Sequence, residues 1–401
     1  APHEQPENPH FSFYSRPAEL ASSKPYLTCA NIRCPHKCKD TPLGPRCYDI
    51  LPPHQHPRKK IRMIIDTDGV SDDLRGISIA LQNKNVEVIG IVTTSGTVNS
   101  TQAGANIARL LRANFVRYRV PIFRGCEAPL LKQYSDNRVA NLYSGDGTGN
   151  QPNAFPKVLR SDYVFQKETA AEAYVRLTKK YRDVTIVVLG PLTNLALAMK
   201  LDENFKHRPK QIITLGGSLN AVGNVHTTST AEWNYLHDPE AVSIVFSEMA
   251  VPVTIVPWEM VIVDGAAAIG RIDFRAPFTK INTPLALFLR TVFSVVEYEP
   301  TYCDDIAVAI AINPHVIKKS EKQLVMVELK GEFTRGQLAF SKSDRIFTQA
   351  EKERLNPVLT VTSYDVDLVH KMVINAIKFA PRFPKKVRLP HAHAHWGAHS
   401  F

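Results

Sequence analysis

The 401-residue sequence has no apolar run of the roughly 18 residues that a membrane-spanning helix requires. It also lacks the Walker P-loop and the G-x-G-x-x-G fingerprint, so phosphate binding by either motif is not expected. Zinc-finger spacing and aromatic–basic RNA-binding motifs are absent as well. These absences disfavour a membrane-spanning protein, a P-loop NTPase, a dinucleotide-dependent oxidoreductase and a protein that binds a nucleic acid duplex.

Cysteine is scarce and unevenly placed. Of six cysteines, four lie close together, namely Cys29, Cys34, Cys38 and Cys47. Their spacing differs from the paired C-x-x-C pattern of zinc sites. We interpret the group as two disulfides and therefore predict a secreted, extracellular protein. A metal-binding knot and four free thiols are the alternatives.

Composition changes along the chain and predicts three segments. Residues 1–60 form an extended arm rich in Pro and His that carries the four-cysteine knot, and residues 380–401 form a basic, His-rich tail. Residues 61–379 alternate between strand-like and helix-like patterns and are predicted to form the catalytic domain. The net charge of +11 is partly concentrated next to the two ends of that domain, where it favours solubility or attraction to anionic surfaces. The His-rich tail is interpreted as disordered, with transition-metal binding as the alternative.

Strand–helix alternation in residues 61–379 predicts an α/β fold, an open and mostly parallel sheet with helices on both faces. The apolar runs predict strands at residues 63–65, 86–93, 120–123, 184–189, 211–215, 253–256 and 323–327. Helical periodicity predicts helices at residues 74–82, 102–111, 168–181, 192–199, 239–247, 283–295, 306–312 and 365–377.

An acidic turn directly after the first predicted strand is the strongest functional signal. Asp66, Asp68, Asp72 and Asp73 fall within a short stretch between an apolar strand and an amphipathic helix. Ligands bind at the carboxyl ends of strands in open α/β sheets, and like charges gathered there repel one another unless a cation holds them. Carboxylate oxygens suit hard divalent cations, so the pattern predicts Ca²⁺ or Mg²⁺ binding. A solvated Asp-rich turn is the alternative.

Further polar loops follow other predicted strands and should meet this turn at the same sheet edge. They contain Thr97 and Asn99, the sequence G-P-L-T-N at 190–194, a Gly-Gly pair at 216–217, and the sequences G-N at 223–224 and A-E-W-N at 231–234. Together they predict a site for a polyol or a sugar.

These residues, in this order, resemble the inosine–uridine preferring nucleoside hydrolase family. The four aspartates occupy the aspartate positions of the family's opening D-x-D-x-G-x-D-D. G-P-L-T-N-x-A-x-A is intact at 190–198, A-E-[FW]-N-x-x-x-D-P-E-A is intact at 231–241, and C-D-D-I-A-V-A at 303–309 is similar to the family's H-D-x-x-A-V-A. The resemblance spans roughly residues 61–377 and implies the Rossmann-like nucleoside hydrolase fold.

The resemblance also implies roles for individual residues. Ca²⁺ would be bound by the side chains of Asp68, Asp73 and Asp304 and by the carbonyl oxygen of Leu189, while Asp66 would support the site from behind. Asp68 would act as general base toward a Ca²⁺-bound water. Substrate binding would fall to Asp72, Thr97, Leu215, Asn224, Glu232, Trp233 and Asn234. The implied reaction is hydrolysis of the N-glycosidic bond of a ribonucleoside to ribose and free base, and the implied assembly is a homodimer or homotetramer.

The sequence departs from the family at positions tied to the leaving base. Tyr143 and Cys303 replace histidines, and Thr97 replaces an asparagine for which Asn99 is a possible substitute. Tyr143 and Tyr302 are predicted to stack on the base, as aromatic rings commonly do. Because a purine can be protonated by solvent, the missing histidines favour a purine substrate.

Two alternative functions follow from the same residues. A haloacid-dehalogenase-like phosphatase would use Asp66 as nucleophile with Mg²⁺, because an apolar strand also precedes D-x-D-G in that family. A non-catalytic nucleoside or carbohydrate binder is favoured by the missing histidines.

Overall fold

The computed structural model describes residues 37–39, 46–48, 59–116, 118–131, 143–151, 165–225, 230–294, 301–341, 348–350 and 356–379. The chain divides into two units, Ala1–Arg58 and Lys59–Phe401. In the first unit, strands β1 (Lys37–Lys39) and β2 (Arg46–Tyr48) pair antiparallel with Cys38 opposite Cys47. The cysteine side chains of the arm and the tail after residue 379 lie outside the described part, so the disulfides, the three-segment division and the tail remain predictions.

The second unit is built on a nine-stranded sheet. Its strands are β3 (Ile61–Thr67), β4 (Val86–Thr93), β5 (Ile122–Phe123), β6 (Val184–Val188), β7 (Gln211–Leu215), β8 (Val253–Val256), β9 (Ile317–Val327), β10 (Leu338–Ser341) and β11 (Val358–Tyr364). The spatial order is β10-β9-β11-β8-β7-β6-β3-β4-β5. Strand β9 runs antiparallel to both of its neighbours, and all other pairs are parallel.

The order of the central strands creates a crevice. The chain runs from β3 to its neighbour β4 and then to β5, and afterwards returns to β6 on the opposite side of β3. The connections that leave β3 and β6 therefore diverge at the carboxyl ends of these strands. Such a switch point is where open α/β sheets bind ligands, and the acidic turn follows β3 at this position.

Ten α-helices and short helical turns of other types are described in the second unit. The α-helices are α1 (Ser71–Gln82), α2 (Ser100–Ala113), α3 (Ala170–Lys180), α4 (Thr193–Leu201), α5 (Trp233–His237), α6 (Pro239–Glu248), α7 (Ala276–Thr279), α8 (Pro284–Val292), α9 (Asp304–Ile312) and α10 (Val366–Ile377). Helix α6 begins as its sequence predicts: Asp238 caps it by accepting the Ala241 N–H at 3.1 Å, and Pro239 occupies the first turn.

Two apolar cores cover the two faces of the sheet. Because side chains alternate along a strand, Met63 and Ile65 of β3 enter one core while Ile64 enters the other. The first core contains residues of α1, α2, α8, α9 and α10, and the second contains residues of α3, α4 and α6. The predicted α/β fold, a mostly parallel sheet with helices on both faces, is confirmed. None of the helices in the described residues is long and apolar enough to cross a membrane.

Candidate active site

A cavity of about 350 Å³ opens at the switch point between β3 and β6. Its wall combines carboxylates from the acidic turn and from α9 with aromatic and apolar side chains. The lining residues are Asp68, Val70, Asp72, Asp73, Arg75, Thr97, Tyr143, Leu189, Leu215, Asn224, Glu232, Trp233, Asn234, Trp258, Val261, Phe293, Thr301, Cys303 and Asp304. The lining thus offers carboxylates suited to a cation and hydroxyl groups, together with aromatic and aliphatic side chains suited to a flat apolar group.

Three buried carboxylates converge in this cavity. Oxygens of Asp72, Asp73 and Asp304 lie within 4.8 Å of one another. Asp72 and Asp73 are in the first turn of α1, and Asp304 is in the first turn of α9, so two helix N-termini place partial positive charge beside the group. The turn that leads into α1 requires Gly69, whose φ is +74° and whose Cβ, if present, would lie 2.7 Å from Ala103 Cα.

Hydrogen bonds to Asp73 fix its carboxylate. The Thr67 hydroxyl donates to one oxygen and the Val70 N–H donates to the other at 3.2 Å. In contrast, Asp72 Oδ1 and Asp304 Oδ1 are buried and have no hydrogen-bond partner. Buried acceptors without partners are costly, and carboxylate oxygens are the ligands that Ca²⁺ and Mg²⁺ prefer. The group therefore fits a hard divalent cation.

Burial changes the acidity of these groups. Together with repulsion from the charge of Asp68, it raises the pKa of Asp72 to about 6. It also raises the pKa of Asp73 and of Asp304 well above the usual range, with repulsion from Asp68 and from Asp73, respectively, adding to the effect. Crowded carboxylates that prefer protons are a sign that a positive charge would stabilise them.

Asp68 lies beside this group of three but is not a member of it. Its carboxylate accepts the N–H of Thr97 at 2.7 Å and lines the cavity. The predicted ligand set of Asp68, Asp73 and Asp304 differs from this cluster in one member, Asp72, and the ligand role of Asp68 stays a prediction. The difference arises because Asp72 and Asp73 share the first turn of α1, whereas the Asp68 side chain is drawn toward the loop after β4.

The end of the cavity expected to bind the sugar is built around α5. Glu232 caps this helix by accepting the N–H groups of Asn234 and Tyr235 at 2.9 and 3.2 Å, and it also accepts the Gly217 N–H at 2.9 Å. Burial raises the pKa of Glu232 to about 7, although these backbone donors lower it. The residue caps the helix and lines the cavity at the same time.

Two amides connect neighbouring loops in this region. Asn234 Nδ2 donates to the Leu189 carbonyl oxygen at 2.9 Å, and Asn224 Oδ1 accepts the Trp233 N–H at 2.8 Å. All four residues line the cavity. The loops after β6 and β7 are therefore held together at the positions that the sequence predicts for sugar binding.

Aromatic residues form a further part of the cavity wall. Trp233, Trp258 and Phe293 line it, as does Tyr143, whose hydroxyl donates to Asp72 Oδ2 at 3.0 Å. Flat rings and aliphatic side chains are the usual surface for a heterocyclic base.

The structure does not bring two predicted substrate-binding residues into the cavity. Asn99 is exposed and caps α2 by accepting the Gln102 N–H at 2.8 Å. Tyr302 is fully buried, packs edge-on against Phe274 and shares a hydrogen bond with His370 Nδ1. Helix capping and core packing account for these residues, so neither is retained as a substrate contact.

Asp66 faces the other side of the sheet. Its carboxylate accepts the Tyr174 hydroxyl at 2.9 Å and the Asn194 side-chain amide at 3.1 Å, and burial raises its pKa to about 8. A phosphatase nucleophile would have to face the substrate, so this position argues against the haloacid-dehalogenase-like alternative. It agrees with a supporting role behind the site.

Sequence reasoning missed several lining residues, chiefly Arg75, Trp258, Val261, Phe293 and Thr301. Trp258 carried a usable signal, because it closely follows a predicted buried strand at the functional sheet edge. Val261 belongs to a π-helical segment, Met260–Gly265, and Phe293 ends α8. No short-range pattern marks such residues as cavity-lining.

Comparison with known proteins agrees with this geometry. The sequence profile of the family described as inosine-uridine preferring nucleoside hydrolase matches residues 63–371. The chain is 40% identical over 194 residues to a probable uridine nucleosidase 2 of Arabidopsis thaliana. It is 30% identical over 194 residues to the pyrimidine-specific ribonucleoside hydrolase RihB of Escherichia coli O157:H7. These matches cover 47% of this chain and 56% and 57% of the two relatives, so they span little more than half of each relative's length.

Solved structures extend the likeness over most of the chain. An inosine-guanosine nucleoside hydrolase superposes with a TM-score of 0.72 at 25% identity, covering 80% of this chain and 100% of that one. A purine-preferring ribonucleoside hydrolase from Gardnerella vaginalis, at 23% identity and a TM-score of 0.68, shares the fold over 79% of this chain and 98% of its own. The profile, the fold and the acidic cavity agree, and the chain belongs to the inosine–uridine preferring nucleoside hydrolase family.

Proposed function

We propose that this chain hydrolyses the N-glycosidic bond of ribonucleosides, giving ribose and a free base. The observation that carries the proposal is the composition of one cavity of about 350 Å³, which is lined both by buried carboxylates with unpartnered oxygens and by aromatic side chains. A ribonucleoside has the matching chemistry, because a diol-bearing sugar is joined to a flat heterocycle.

We further propose that the divalent cation is Ca²⁺, held by Asp73 and Asp304 together with Asp72 or Asp68 and with the Leu189 carbonyl oxygen. When bound, such an ion supplies Lewis acidity and a point of attachment for oxygen ligands. The unpartnered oxygens of Asp72 and Asp304 support this assignment.

The chain's own residues account for the remaining tasks. Asp68, held in the cavity wall by the Thr97 N–H, accepts the proton of the attacking water as general base. Asn224, Glu232 and Asn234 orient the sugar hydroxyls on the α5 side. The surrounding carboxylates stabilise the positive charge that develops at C1′ as the bond to the base lengthens.

The aromatic wall holds the leaving base. Trp233 and Trp258 offer a broad surface that suits the larger bicyclic ring, so we propose a purine preference. The curated relatives include enzymes named for uridine and pyrimidine substrates, so uridine is the direct competitor. Comparing kcat/KM for inosine and uridine tests this point.

The experiment that tests the activity is direct. The purified chain is incubated with inosine, guanosine, adenosine and uridine in the presence of Ca²⁺, and free base is separated by chromatography. Release of base supports the proposal. A chain that releases no base from any of the four is not a nucleoside hydrolase for common ribonucleosides.

One observation favours a second candidate, a nucleoside-binding protein without turnover. The described cavity lining contains no histidine, and Cys303, which lies beside Asp304, has a thiol pKa raised well above its usual range by burial and by that carboxylate. Within the described lining, therefore, neither a histidine nor an acidic thiol is placed to protonate the leaving base. Nucleoside binding in calorimetry without base release would favour this candidate.

Two properties of the whole chain are also proposed. Secretion is supported by the four-cysteine arm. Comparing the mobility of the purified chain on reducing and non-reducing gels tests the disulfides. A homodimer or homotetramer is supported by the family resemblance, and light scattering of the purified chain tests it.

A further inference from the structure

A buried cation lies among the acidic residues of the cavity. The Arg75 side chain is 1% exposed and lines the same cavity as the three converging carboxylates. Its Nε and Nη2 donate to the carboxylate of Asp305 at 2.7 to 3.0 Å, and Nη2 also donates to the Thr301 carbonyl oxygen at 2.8 Å. This is the bidentate arrangement that only a guanidinium can make.

Two aromatic rings hold the guanidinium in place. The Arg75 Cζ lies 4.8 Å from the centroid of the Phe293 ring and 5.0 Å from that of Tyr302. These cation–π contacts restrict the movement of the planar group. The position of Arg75 is thus fixed by the two rings and the Thr301 carbonyl oxygen as well as by the ion pair with Asp305.

The pair joins the two helices that carry the proposed metal ligands. Arg75 follows Asp72 and Asp73 in the early part of α1, and Asp305 follows Asp304 at the start of α9. The helices meet closely at Gly76, where an added Cβ would lie 3.1 Å from Asp304 C and from Asp305 N. The Arg75–Asp305 contact thus lies at the junction of the two helices that carry Asp73 and Asp304.

Repulsion among the three carboxylates acts against the close approach of α1 and α9. Three carboxylates that approach within 4.8 Å repel one another unless a cation is bound, and the repulsion acts to push α1 and α9 apart. The Arg75–Asp305 ion pair opposes this separation. It keeps the ligand oxygens in place before a cation arrives, which lowers the cost of organising the site on binding.

We propose that Arg75 and Asp305 are positioning residues that preorganise Asp72, Asp73 and Asp304 for a divalent cation. The inference rests on the proposed metal-dependent function and deepens it. The competing explanation is that the pair only stabilises the fold. That explanation predicts lower stability with unchanged metal affinity, so the two can be separated by measuring both quantities on the same variants.

The test uses the full chain stripped of metal by chelation. Arg75→Met and Asp305→Asn remove one partner each, and the double variant removes both. Arg109→Met is the matched control, because Arg109 is also buried, lies 5.4 Å over the Phe288 ring and bonds to Thr148 and Gln151 without lining the cavity. Ca²⁺ affinity is measured by calorimetry, and thermal unfolding is followed with and without Ca²⁺.

The expected result is a rise in the Ca²⁺ Kd of about 10- to 100-fold for Arg75→Met and for Asp305→Asn, as is usual when a group that orients a metal ligand is lost. The double variant should lose no more affinity than the worse single variant, because both act through one contact. Arg109→Met should keep the wild-type Kd even if its melting temperature falls. Arg75→Lys, which keeps the charge but not the fork, should fall between wild type and Arg75→Met, and it serves as the test if the larger changes prevent folding.

Two results would overturn the inference, and they differ. Wild-type affinity in the Arg75 and Asp305 variants, together with reduced stability, would assign the pair to the fold alone and leave the proposed metal site intact. A wild-type chain that binds neither Ca²⁺ nor Mg²⁺ would remove the metal site itself.

Discussion

Asp68 and Asp72 are close together in the sequence, yet the structure gives them different surroundings. Asp68 is held by one backbone N–H from Thr97, at 2.7 Å, whereas Asp72 accepts the Tyr143 hydroxyl at 3.0 Å and belongs to the three-carboxylate cluster. Both aspartates line the cavity, and of the two Asp68 alone lies outside that cluster. This difference is the physical basis for assigning proton transfer to Asp68, and binding of the cation and the nucleoside to Asp72.

The first prediction concerns Asp68. We expect Asp68→Asn to lower kcat by about 10²- to 10⁴-fold, the usual contribution of a general base, because the amide keeps the size and the acceptor oxygen but cannot take a proton. Steady-state base release measures the effect, and equilibrium dialysis should show nearly unchanged nucleoside binding. Asp72→Asn is the matched variant and should weaken nucleoside binding as well. A kcat within about tenfold of wild type in Asp68→Asn would assign the base to another group.

The second prediction concerns pH and Glu232. Burial raises the pKa of this residue from 4.5 to about 7. As the pH rises, the unfolded chain therefore releases the Glu232 proton at a lower pH than the folded chain does. Its contribution to stability is therefore fully present below the unfolded pKa and is lost as the pH rises through the folded pKa. Relative to Glu232→Gln, the metal-free wild type should lose up to about 3 kcal/mol of unfolding free energy over this interval.

Urea unfolding of wild type and Glu232→Gln at several pH values, with a chelator present, provides the measurement. Other titrating groups are common to both chains, so the difference between the two curves isolates Glu232. A difference that is flat, or that rises with pH, would show that the hydrogen bonds from Gly217, Asn234 and Tyr235 outweigh the cost of burial.

At the scale of elements, a buried carboxylate links two walls of the cavity. Glu259 is 4% exposed and follows Trp258 at the end of β8. It accepts the Ser218 hydroxyl and the N–H groups of Leu219 and Asn220, each at 2.9 Å. The loop after β7, which leads to Asn224, is thereby fixed to the loop that carries Trp258.

The third prediction follows from this link. Glu259→Gln replaces one acceptor oxygen by an N–H₂ group that faces backbone donors, so the loop after β7 should loosen and Trp258 should move. We expect KM to rise about tenfold, the equivalent of ~1.4 kcal/mol, with a smaller change in kcat. Steady-state kinetics and tryptophan fluorescence measure the effect.

Glu328→Gln is the control, since Glu328 also accepts turn N–H groups, from Lys330 and Gly331, but does not line the cavity. Equal KM changes in both variants would contradict the interpretation.

Element predictions from the sequence succeeded where strands are buried along their length. The prediction for β7 and β8 matches the structure residue for residue, because both are short apolar runs. Strands β10 and β11 were missed, since β10 has four residues and β11 mixes polar with apolar side chains. The first half of β9 was also missed: it is exposed and pairs with β11 alone, so no core-facing pattern marks it.

Predicted site residues line the cavity where strand ends place them and lie outside it where helix capping or core packing places them. Asp68, Asp72 and Asp73 after β3, Leu189 directly after β6, and Asn224 and residues 232–234 after β7 line the cavity because strand ends bring them to one edge of the sheet. The placement of Asn99 and Tyr302 depends instead on helix capping and on packing between α9 and α10, which the sequence alone does not fix. Trp258 and Arg75 enter the cavity through tertiary contacts. Their roles become visible only when the loops and helices are placed together.

At the scale of the whole molecule, the metal site and the fold share the same residues. The switch point between β3 and β6 sets where ligands bind, and α1 and α9 deliver carboxylates to it from distant parts of the chain. A cation bound there connects residues near the start of the second unit to Asp304, which is far from them in sequence. Its removal should therefore affect global stability as well as turnover.

The fourth prediction is a cation-dependent stability with a defined dependence on pH. At free Ca²⁺ about 100 times its Kd, binding should add about 2.7 kcal/mol to the unfolding free energy, and a chelator should reverse the gain. Since burial and mutual repulsion raise the pKa values of Asp73 and Asp304, Ca²⁺ must displace protons from them. The gain should therefore shrink as the pH falls.

Thermal unfolding with Ca²⁺ or chelator across a range of pH, together with calorimetry in buffers of different ionisation enthalpy, measures both the gain and the released protons. Asp304→Asn should lose most of the Ca²⁺-dependent shift, because it removes a charge at the junction of α1 and α9. Asp367→Asn is the control, since Asp367 is an exposed aspartate in the first turn of α10 that pairs with Arg271. A Ca²⁺ gain that persists in Asp304→Asn would place the cation elsewhere, and the assignment of the buried carboxylates to metal binding would then be wrong.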